Sequence, residues 1–188
     1  MVVFDFDKTL TNKDTLYGYY QEVDGEHPYF LLKRLALLFA AILYKIGLIH
    51  NTRLKKIGVF LFLRNKSLEE IQKKAVAYAS RIKLNTVYYE HFLAVPLDKR
   101  MIISASPDIY LSTLFPEEMT TGTSLRFTNG KVAGLKQNMY GKEKVRALQR
   151  KGIYQIECLY TDSYSDKPLM VIAEQVRLVK NGKVTLLI

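Results

Sequence analysis

Two aspartates stand two residues apart near the start of the chain, directly after the apolar run Val2-Val3-Phe4. Side chains at positions i and i+2 of a strand face the same side, so Asp5 and Asp7 are expected to point the same way. One carboxylate of such a pair can attack as a nucleophile while the other transfers protons. Aspartates at a strand end are also common turn formers, and the pair alone leaves both interpretations open.

A hydroxyl-rich segment follows a second stretch, Arg100-Met101-Ile102-Ile103, whose last three residues are apolar. Ser104 ends this run and precedes Ala105-Ser106-Pro107. If a helix begins here, the hydroxyl of Ser104 and the free backbone N–H groups form a cradle for phosphate, with Pro107 in the first helical turn. The alternative is that Ser104 or Ser106 only caps that helix.

A third candidate is Lys144, at the start of a helix predicted from Lys142 to Lys151. Val145 and Leu148 share one face of that helix, and Gly152 stops it. An ammonium group at this place can neutralise a phosphoryl oxygen or the attacking aspartate. A simply solvated lysine is the alternative.

Two more acids, Asp162 and Asp166, follow the mainly apolar stretch Ile156 to Thr161 and bracket a short loop. With Asp5 they supply hard oxygen ligands. Mg²⁺ is the natural occupant, because it binds few carboxylates, keeps water ligands and bridges to substrate phosphate. Their alternative role is again turn formation.

These residues need a scaffold that brings strand ends together. The three apolar runs predict strands that alternate with helices, which indicates an α/β fold: a three-layer, Rossmann-like core with a parallel central sheet. Asn129-Gly130 and Asn181-Gly182 predict two β-hairpins. Residues 13–94 show helical patterns without a buried strand, so we predict a helical cap there, inserted into a core of residues 1–12 and 95–188. Ser67 and Glu70 have capping-box spacing at the start of one cap helix.

The cap has an unusual composition. Residues 27–68 hold eight Lys and Arg and no acid, yet the longest uncharged run, residues 35–44, is only 10 residues long, whereas a membrane span needs about 20. Burial inside the cap is predicted for Leu35, Leu37, Leu38, Phe39, Ile42 and Leu43. The competing hypothesis is a peripheral contact with an acidic membrane, in which anionic lipid binds Lys33, Arg34, Lys45, Arg53, Lys55 and Lys56.

The composition sets the class of protein. The chain has 188 residues, 48% hydrophobic and 24% charged, which excludes a disordered or collagen-like protein. Its net charge of +10 favours anionic partners. The single cysteine, Cys158, excludes an internal disulfide. A cytoplasmic protein is expected, because no basic leader precedes the carboxylate at residue 5.

Four motifs, in order along the chain, resemble the haloacid dehalogenase superfamily of aspartyl-phosphate phosphatases, and within it the phosphoserine phosphatase-like subfamily IB. They are Asp5-Phe6-Asp7-Lys8-Thr9, Ile103-Ser104-Ala105-Ser106, Gly141-Lys142-Glu143-Lys144 with Leu148, and Asp162-Ser163-Tyr164-Ser165-Asp166. The resemblance spans essentially the whole chain, and the helical insertion lies where the family has its first (C1-type) cap. The chain is also similar to phosphatidylglycerophosphatase C-like enzymes, which have an apolar and basic cap.

The resemblance implies a Mg²⁺-dependent reaction through an aspartyl-phosphate. Asp5 would be the nucleophile and a metal ligand. Asp7 would be the general acid and base, with its backbone carbonyl on the metal, and Thr9 would support the loop. Asp162 would bind the metal directly, with Asp166 beside it.

The resemblance also implies a phosphate site and a substrate contact. Ser104, Ala105 and Lys144 would hold the phosphate. Asp14, nine residues after Asp5, stands where phosphoserine phosphatases carry an acid that holds the substrate amine. The fourth motif lacks the glycines that usually flank its first aspartate, which bears on the substrate subclass more than on the chemistry.

The predicted function is therefore hydrolysis of a phosphomonoester, either a small phosphorylated metabolite or a phospholipid head group. One rival is a non-catalytic basic module that binds an acidic membrane or nucleic acid. The apolar character of the basic stretch, without a recognised interleaving of aromatic and basic residues, argues against nucleic acid. The other rival is an aspartate phospho-acceptor switch, against which Asp7 argues because turnover needs a second carboxylate.

Overall fold

A computed structural model of the chain describes residues 1–180 and 183–187. Its frame is a seven-stranded sheet in the order β4-β3-β2-β1-β5-β6-β7. The strands are β1 Val2–Phe4, β2 Arg100–Pro107, β3 Thr120–Thr128, β4 Lys131–Gln137, β5 Ile156–Thr161, β6 Ala173–Lys180 and β7 Lys183–Leu186. The central strands pair in parallel, whereas β4 and β7 add antiparallel edges. The predicted α/β fold with a mostly parallel sheet is confirmed.

The central strand β1 is buried on both faces, as its uniformly apolar sequence requires. Alternate side chains reach opposite sides of the sheet. Phe4 stacks on Tyr160 with ring centroids 4.5 Å apart and meets Phe92 edge-on at 5.2 Å. Phe4 and Tyr160 belong to one apolar cluster, and Val3 belongs to another, which includes Leu148. The sheet thus separates two hydrophobic cores.

Five helices lie between β1 and β2, where the helical insertion was predicted. They are α1 Leu16–Asp24, α2 Phe30–Lys45, α3 Asn51–Phe62, α4 Leu68–Ala79 and α5 Thr86–Ala94. Three helices follow: α6 Asp108–Leu114, α7 Lys142–Arg150 and α8 Lys167–Met170. Helix α5 packs on the sheet, because its residue Phe92 contacts Phe4 of β1.

Local signals explain several of these boundaries. The hydroxyl of Ser67 accepts a hydrogen bond from the backbone N–H of Glu70 at 3.1 Å, which caps α4. The Glu70 carboxylate pairs with Lys66 at 2.9 Å. Asn129 and Gly130 take the positive φ values, 52° and 71°, that a two-residue hairpin turn requires. The other predicted turn, Asn181-Gly182, lies outside the described residues, although β6 and β7 pair as an antiparallel hairpin.

The turn between α3 and α4 lies along the outer edge of β4. The backbone N–H of Asn65 donates to the carbonyl of Val132 at 3.0 Å, and the N–H of Val132 donates to the carbonyl of Lys66 at 2.9 Å. The N–H of Leu68 donates to the carbonyl of Gly130 at 2.9 Å. The helical insertion is thereby attached to the tip of the β3–β4 hairpin.

The burial predicted for the apolar side chains of α2 is wrong. Among the sixteen residues of α2 only Ala40 is buried. Leu35, Leu38, Phe39 and Ile42 are each more than half exposed, and Leu37 and Leu43 are half-buried. The neighbouring helices cover one side of α2 only. Within the described ranges, no helix is long and apolar enough to cross a membrane.

Candidate active site

The predicted site residues meet at the carboxyl edge of the parallel sheet. This follows from the topology, because β1 pairs with β2 on one side and with β5 on the other. Most of them line one cleft of about 600 Å³ beneath α1, α2 and α3: Asp5, Asp7, Asp14, Ser104, Ala105, Lys144 and Asp162. Thr9 and Asp166 are buried and do not line the cleft.

Asp5 directly follows β1, and one of its carboxylate oxygens is held by two contacts. Its Oδ1 accepts a hydrogen bond from the backbone N–H of Phe6 at 2.9 Å and lies 3.1 Å from Nζ of Lys144. Burial raises the pKa of Asp5 to about 7, against the lowering effect of Lys144. The charges of Asp166 and Asp7 raise it further. Burial, more than the neighbouring charges, therefore disfavours the ionised form of Asp5.

Lys144 is shared between two carboxylates. Its ammonium group lies 2.8 Å from Oδ1 of Asp166 and 3.1 Å from Oδ1 of Asp5, and its side chain is only 2% exposed. Burial disfavours the ammonium, but the two carboxylates together outweigh that effect and raise its pKa. The hydroxyl of Thr161 donates to Oδ2 of Asp166 at 2.9 Å. Thr161 stands where the fourth motif usually has a glycine, and its hydroxyl holds Asp166 in place beside Lys144.

Asp7 is surrounded by hydroxyl groups. Its Oδ1 accepts from the backbone N–H and the hydroxyl of Thr15, at 2.9 and 2.6 Å, and its Oδ2 accepts from the hydroxyl of Ser106 at 2.5 Å. The Thr15 hydroxyl also lies 2.8 Å from that of Tyr110. Burial, and next the charge of Asp14, raise the pKa of Asp7 to about 6, while these hydrogen bonds oppose the rise. Asp7 is therefore adjusted toward proton transfer near neutral pH.

The serines of β2 do not cap the following helix. Pro107 ends β2 and is itself the N-cap of α6, so it lies outside the first helical turn. The buried Ser104 hydroxyl accepts a hydrogen bond from the backbone N–H of Ser106 at 3.1 Å. Ser106 is two residues after Ser104 on the same strand, and its hydroxyl binds Asp7. The capping alternative for these residues is wrong.

The turn after Asp7 brings a cation to the cleft. Lys8 has a left-handed backbone with φ of 56°, and its N–H donates to the hydroxyl of Thr11 at 3.1 Å. Burial raises the pKa of Asp162, and the charge of Lys8 opposes that rise. The hydroxyl of Thr9 is buried without a hydrogen-bond partner among the described residues. Its buried position agrees with packing support for the loop.

Lys55 of α3 belongs to the site and not to the lipid-facing lysines with which it was predicted. It was grouped with the lysines expected on anionic lipid, but only 7% of it is exposed. Its ammonium group donates to the carbonyl of Ala105 at 2.5 Å and to Oδ1 of Asn138 at 2.8 Å. Burial lowers its pKa to about 8. Its spacing could have indicated burial, because Gly58, Val59 and Phe62 follow it by three, four and seven residues and so share its face of the helix.

Asn138 extends this contact between α3 and the core. Its amide nitrogen donates to Oδ1 of Asn51 at 2.9 Å and to the hydroxyl of Thr52 at 3.0 Å. The first turn of α3 is thereby held to the segment after β4. The other residues on the α1–α3 wall of the cleft are largely apolar or aromatic: Leu16, Tyr17, Tyr20, Leu37, Ala41 and Leu54.

The donor chemistry of the cleft fits Mg²⁺. Across residues 1–180 and 183–187, no three acidic, imidazole or thiol side chains come close enough to hold a metal ion by themselves. Mg²⁺ does not require such a cluster, because it keeps several waters and binds through one or two carboxylates. Asp5 and Asp162 share the cleft, and burial raises the pKa of both. Two carboxylates whose ionised forms are disfavoured by burial are suited to a divalent cation, because the ion stabilises the ionised form.

Comparison with known proteins gives related sequences over almost the whole chain. A family model for haloacid dehalogenase-like hydrolases matches residues 2–171. Protein CicA of Caulobacter vibrioides is 23% identical in an alignment that covers 93% of this chain and 83% of the relative.

Solved structures share the fold at low identity. A Bordetella pertussis protein of unknown function has a TM-score of 0.75 at 16% identity, covering 94% of this chain and 87% of that one. A phosphoserine phosphohydrolase-like protein from Francisella tularensis has a TM-score of 0.68 at 18% identity, covering 93% and 84%. A phosphoserine phosphatase with an analogue of the phospho-aspartyl intermediate has a TM-score of 0.62 at 17% identity, covering 93% and 83%.

Proposed function

The chain belongs to the haloacid dehalogenase-like hydrolase family, and we propose that it is a Mg²⁺-dependent phosphomonoester hydrolase that forms an aspartyl-phosphate on Asp5. The observation that carries this proposal is that one cleft holds two carboxylates with different surroundings. Asp5 touches the buried cation Lys144, and Asp7 is enclosed by hydroxyl groups. The proposed substrate is a small phosphorylated metabolite or a phospholipid head group.

The first step transfers the phosphoryl group to Asp5. The contacts of Phe6 and Lys144 fix Oδ1, so Oδ2 is the oxygen proposed to attack phosphorus. As the new bond between oxygen and phosphorus forms, the bond to the leaving oxygen breaks. Asp7 gives its proton to that oxygen, so the leaving group departs as a neutral alcohol.

The second step hydrolyses the aspartyl-phosphate. Asp7, now ionised, takes a proton from a water molecule as that water attacks phosphorus. The bond between Asp5 and phosphorus breaks, which frees the carboxylate and releases inorganic phosphate. The hydroxyl groups of Thr15 and Ser106 can rotate between donating and accepting, so they can stabilise both protonation states of Asp7.

The remaining residues hold the phosphoryl group. Ser104, Ala105 and Lys144 are proposed to bind its oxygens, and Asp14 is proposed to contact the leaving group at the mouth of the cleft. Asp5, the carbonyl of Asp7 and Asp162 would hold Mg²⁺. When bound, the ion offsets the charge of two acids and a phosphate dianion, so that the nucleophile can approach phosphorus in line.

Released phosphate should be measured over a panel of phosphorylated metabolites and of lipids with a terminal phosphate. We expect release with Mg²⁺, loss of release in excess EDTA and recovery when Mg²⁺ is restored. Asp5→Asn should abolish release, since an amide is a poor nucleophile. The exposed Asp98→Asn serves as a matched control and should behave as wild type. Release by folded Asp5→Asn at the wild-type rate, or activity unchanged by EDTA, would exclude this mechanism.

A further inference from the structure

Helix α2 presents an apolar face to solvent. Seven of its side chains, counting the residue that caps its carboxyl end, are each between 51% and 63% exposed: Leu31, Leu32, Leu35, Leu38, Phe39, Ile42 and Ile46. Large apolar side chains exposed together on one element mark an interaction surface, whereas single ones are ordinary. These seven residues are called the α2 face.

The α2 face has a defined direction relative to the cleft. At 3.6 residues per turn its members occupy an arc of about 120° on the helix. Leu37, Ala41 and Tyr44 line the cleft from the same helix, and their positions lie nearly opposite that arc. One helix therefore forms a wall of the candidate active site with one side and the exposed apolar surface with the other.

Positive charge borders the α2 face on one side. Arg34 and Lys45 occupy helical positions between the α2 face and the cleft-lining positions, and both are exposed. The guanidinium of Arg34 lies 5.8 Å from the ring centre of Tyr17, which lines the cleft. Residues 27–68, which contain all of α2 and α3, include no Asp or Glu. An apolar surface with a cationic border matches the boundary between acyl chains and anionic headgroups.

We propose that the α2 face docks on an anionic lipid bilayer. The apolar side chains enter the boundary between headgroups and acyl chains, and Arg34 and Lys45 bind lipid phosphate at the side nearest the cleft. Residues of α2 lie in the interface without spanning it, as expected from the absence of a long apolar helix in the described part of the chain. The cleft is then held close to the headgroup layer.

A second copy of the chain is a poorer occupant of this surface. A symmetric dimer through the α2 face would place the same patch of each copy against the other. Arg34 and Lys45 of both copies would then approach one another, in a protein whose net charge is +10. No acid in residues 27–68 is present to offset that repulsion.

Co-sedimentation with lipid vesicles tests the proposal. The full chain is mixed with vesicles of phosphatidylglycerol and phosphatidylcholine, or of phosphatidylcholine alone, over a series of salt concentrations. We expect the protein to pellet with the anionic vesicles at low salt and to return to the supernatant as salt rises, because charge attraction is screened. Recovery in the supernatant with anionic vesicles at low salt would overturn the proposal.

Matched variants locate the surface. The double variant Phe39→Gln/Ile42→Gln and the double variant Arg34→Gln/Lys45→Gln should each bind vesicles at least tenfold more weakly. Leu97→Gln/Val171→Gln and Lys73→Gln/Lys99→Gln change exposed residues elsewhere and should bind as wild type. Equal loss of binding in the control variants would show that no specific face is used. A dimer in analytical ultracentrifugation that Phe39→Gln/Ile42→Gln dissociates would assign the face to a second copy instead.

The outcome is independent of the proposed chemistry. Asp5→Asn should pellet with anionic vesicles as wild type does, because Asp5 lies inside the cleft. Phe39→Gln/Ile42→Gln should release phosphate from a soluble substrate at the wild-type rate. Vesicle binding without phosphatase activity would refute only the proposed function, and activity without vesicle binding would refute only the docking surface.

Discussion

Asp5 and Asp7 have different surroundings, so their amide variants should fail at different steps. The two steps can be distinguished with an aryl phosphate as substrate, because its leaving group needs little protonation to depart. Asp7→Asn should still form the aspartyl-phosphate but hydrolyse it slowly, because no base activates water, and general acid–base help contributes about 100- to 10,000-fold. When the aryl phosphate carries a radioactive phosphoryl group and the reaction is quenched with acid, labelled phosphoenzyme should therefore be found in Asp7→Asn and none in Asp5→Asn. Equal labelling of the two variants would show that the two roles are misassigned.

Lys144 and Lys142 have opposite surroundings. Lys144 is buried between two carboxylates, whereas Lys142 is exposed. Lys144→Ala would leave Asp5 and Asp166 facing each other without a cation. Breaking a buried ion pair from one side typically costs about 3–5 kcal/mol, and we expect a loss of that order in the free energy of unfolding measured with urea. Lys142→Ala should change it by less than about 0.5 kcal/mol. A larger loss from Lys142→Ala would refute this distinction.

The sequence could predict those residues of the site that come directly after short apolar runs. Asp5 and Asp162 follow β1 and β5, and Ser104 follows the apolar residues of β2, which continues beyond it. The carboxyl ends of parallel strands meet at one edge of the sheet. Thr15, the N-cap residue of α1, and Lys55, in α3, could not be found in the same way, because helices and not strands position them. Their positions depend on how the helices pack over the sheet, which local patterns do not determine.

Among the elements, short apolar runs determine their own structure more fully than the sequence of α2 does. A run of three to six apolar residues followed by a polar one has few alternatives to a buried strand, and the strands beginning at Val2, Arg100 and Ile156 follow that pattern. A helix that is apolar nearly all round is normally buried. Helix α2 is exposed because α3 covers only part of it, and that arrangement is not encoded in the sequence of α2 itself.

The attachment of α3 to the core gives an element-scale prediction. Lys55→Met keeps an aliphatic side chain but removes the donor to the carbonyl of Ala105 and to Asn138. Leaving buried acceptors unpaired costs about 1–3 kcal/mol, so the free energy of unfolding should fall by that amount. Lys56→Met, at the adjacent exposed position, should have little effect. Identical urea midpoints for both variants would show that the Lys55 contact does not hold α3 in place.

Two acids of the cleft link the stability of the whole molecule to pH. Folding raises the pKa of Asp5 to about 7 and that of Asp7 to about 6. The folded protein thus keeps protons that the unfolded chain has lost, and the free energy of unfolding should decrease as pH rises from about 4 to about 7. Urea unfolding without metal should show this slope, and Asp5→Asn/Asp7→Asn should reduce it. A stability that rises over this interval would contradict the assignment.

Mg²⁺ should change this pH dependence. Carboxylates must be deprotonated to bind a metal, so added Mg²⁺ should raise the melting temperature more at about pH 7 than at about pH 5. The same titration on Asp162→Ala is the control, and its stabilisation by Mg²⁺ should be weaker. Equal stabilisation of wild type and Asp162→Ala would place the ion elsewhere.

The backbone contacts of residues 65–68 with β4 have a consequence for the whole fold. Strand β4 is an edge of the sheet, and edge strands with unpaired backbone groups recruit other chains. The α3–α4 turn occupies the outward N–H and carbonyl of Val132 and the carbonyl of Gly130. A core produced without its helical insertion would expose them, and it should aggregate through strand pairing. The insertion that shapes the cleft also protects the sheet from aggregation, so the two functions cannot be separated by simple truncation.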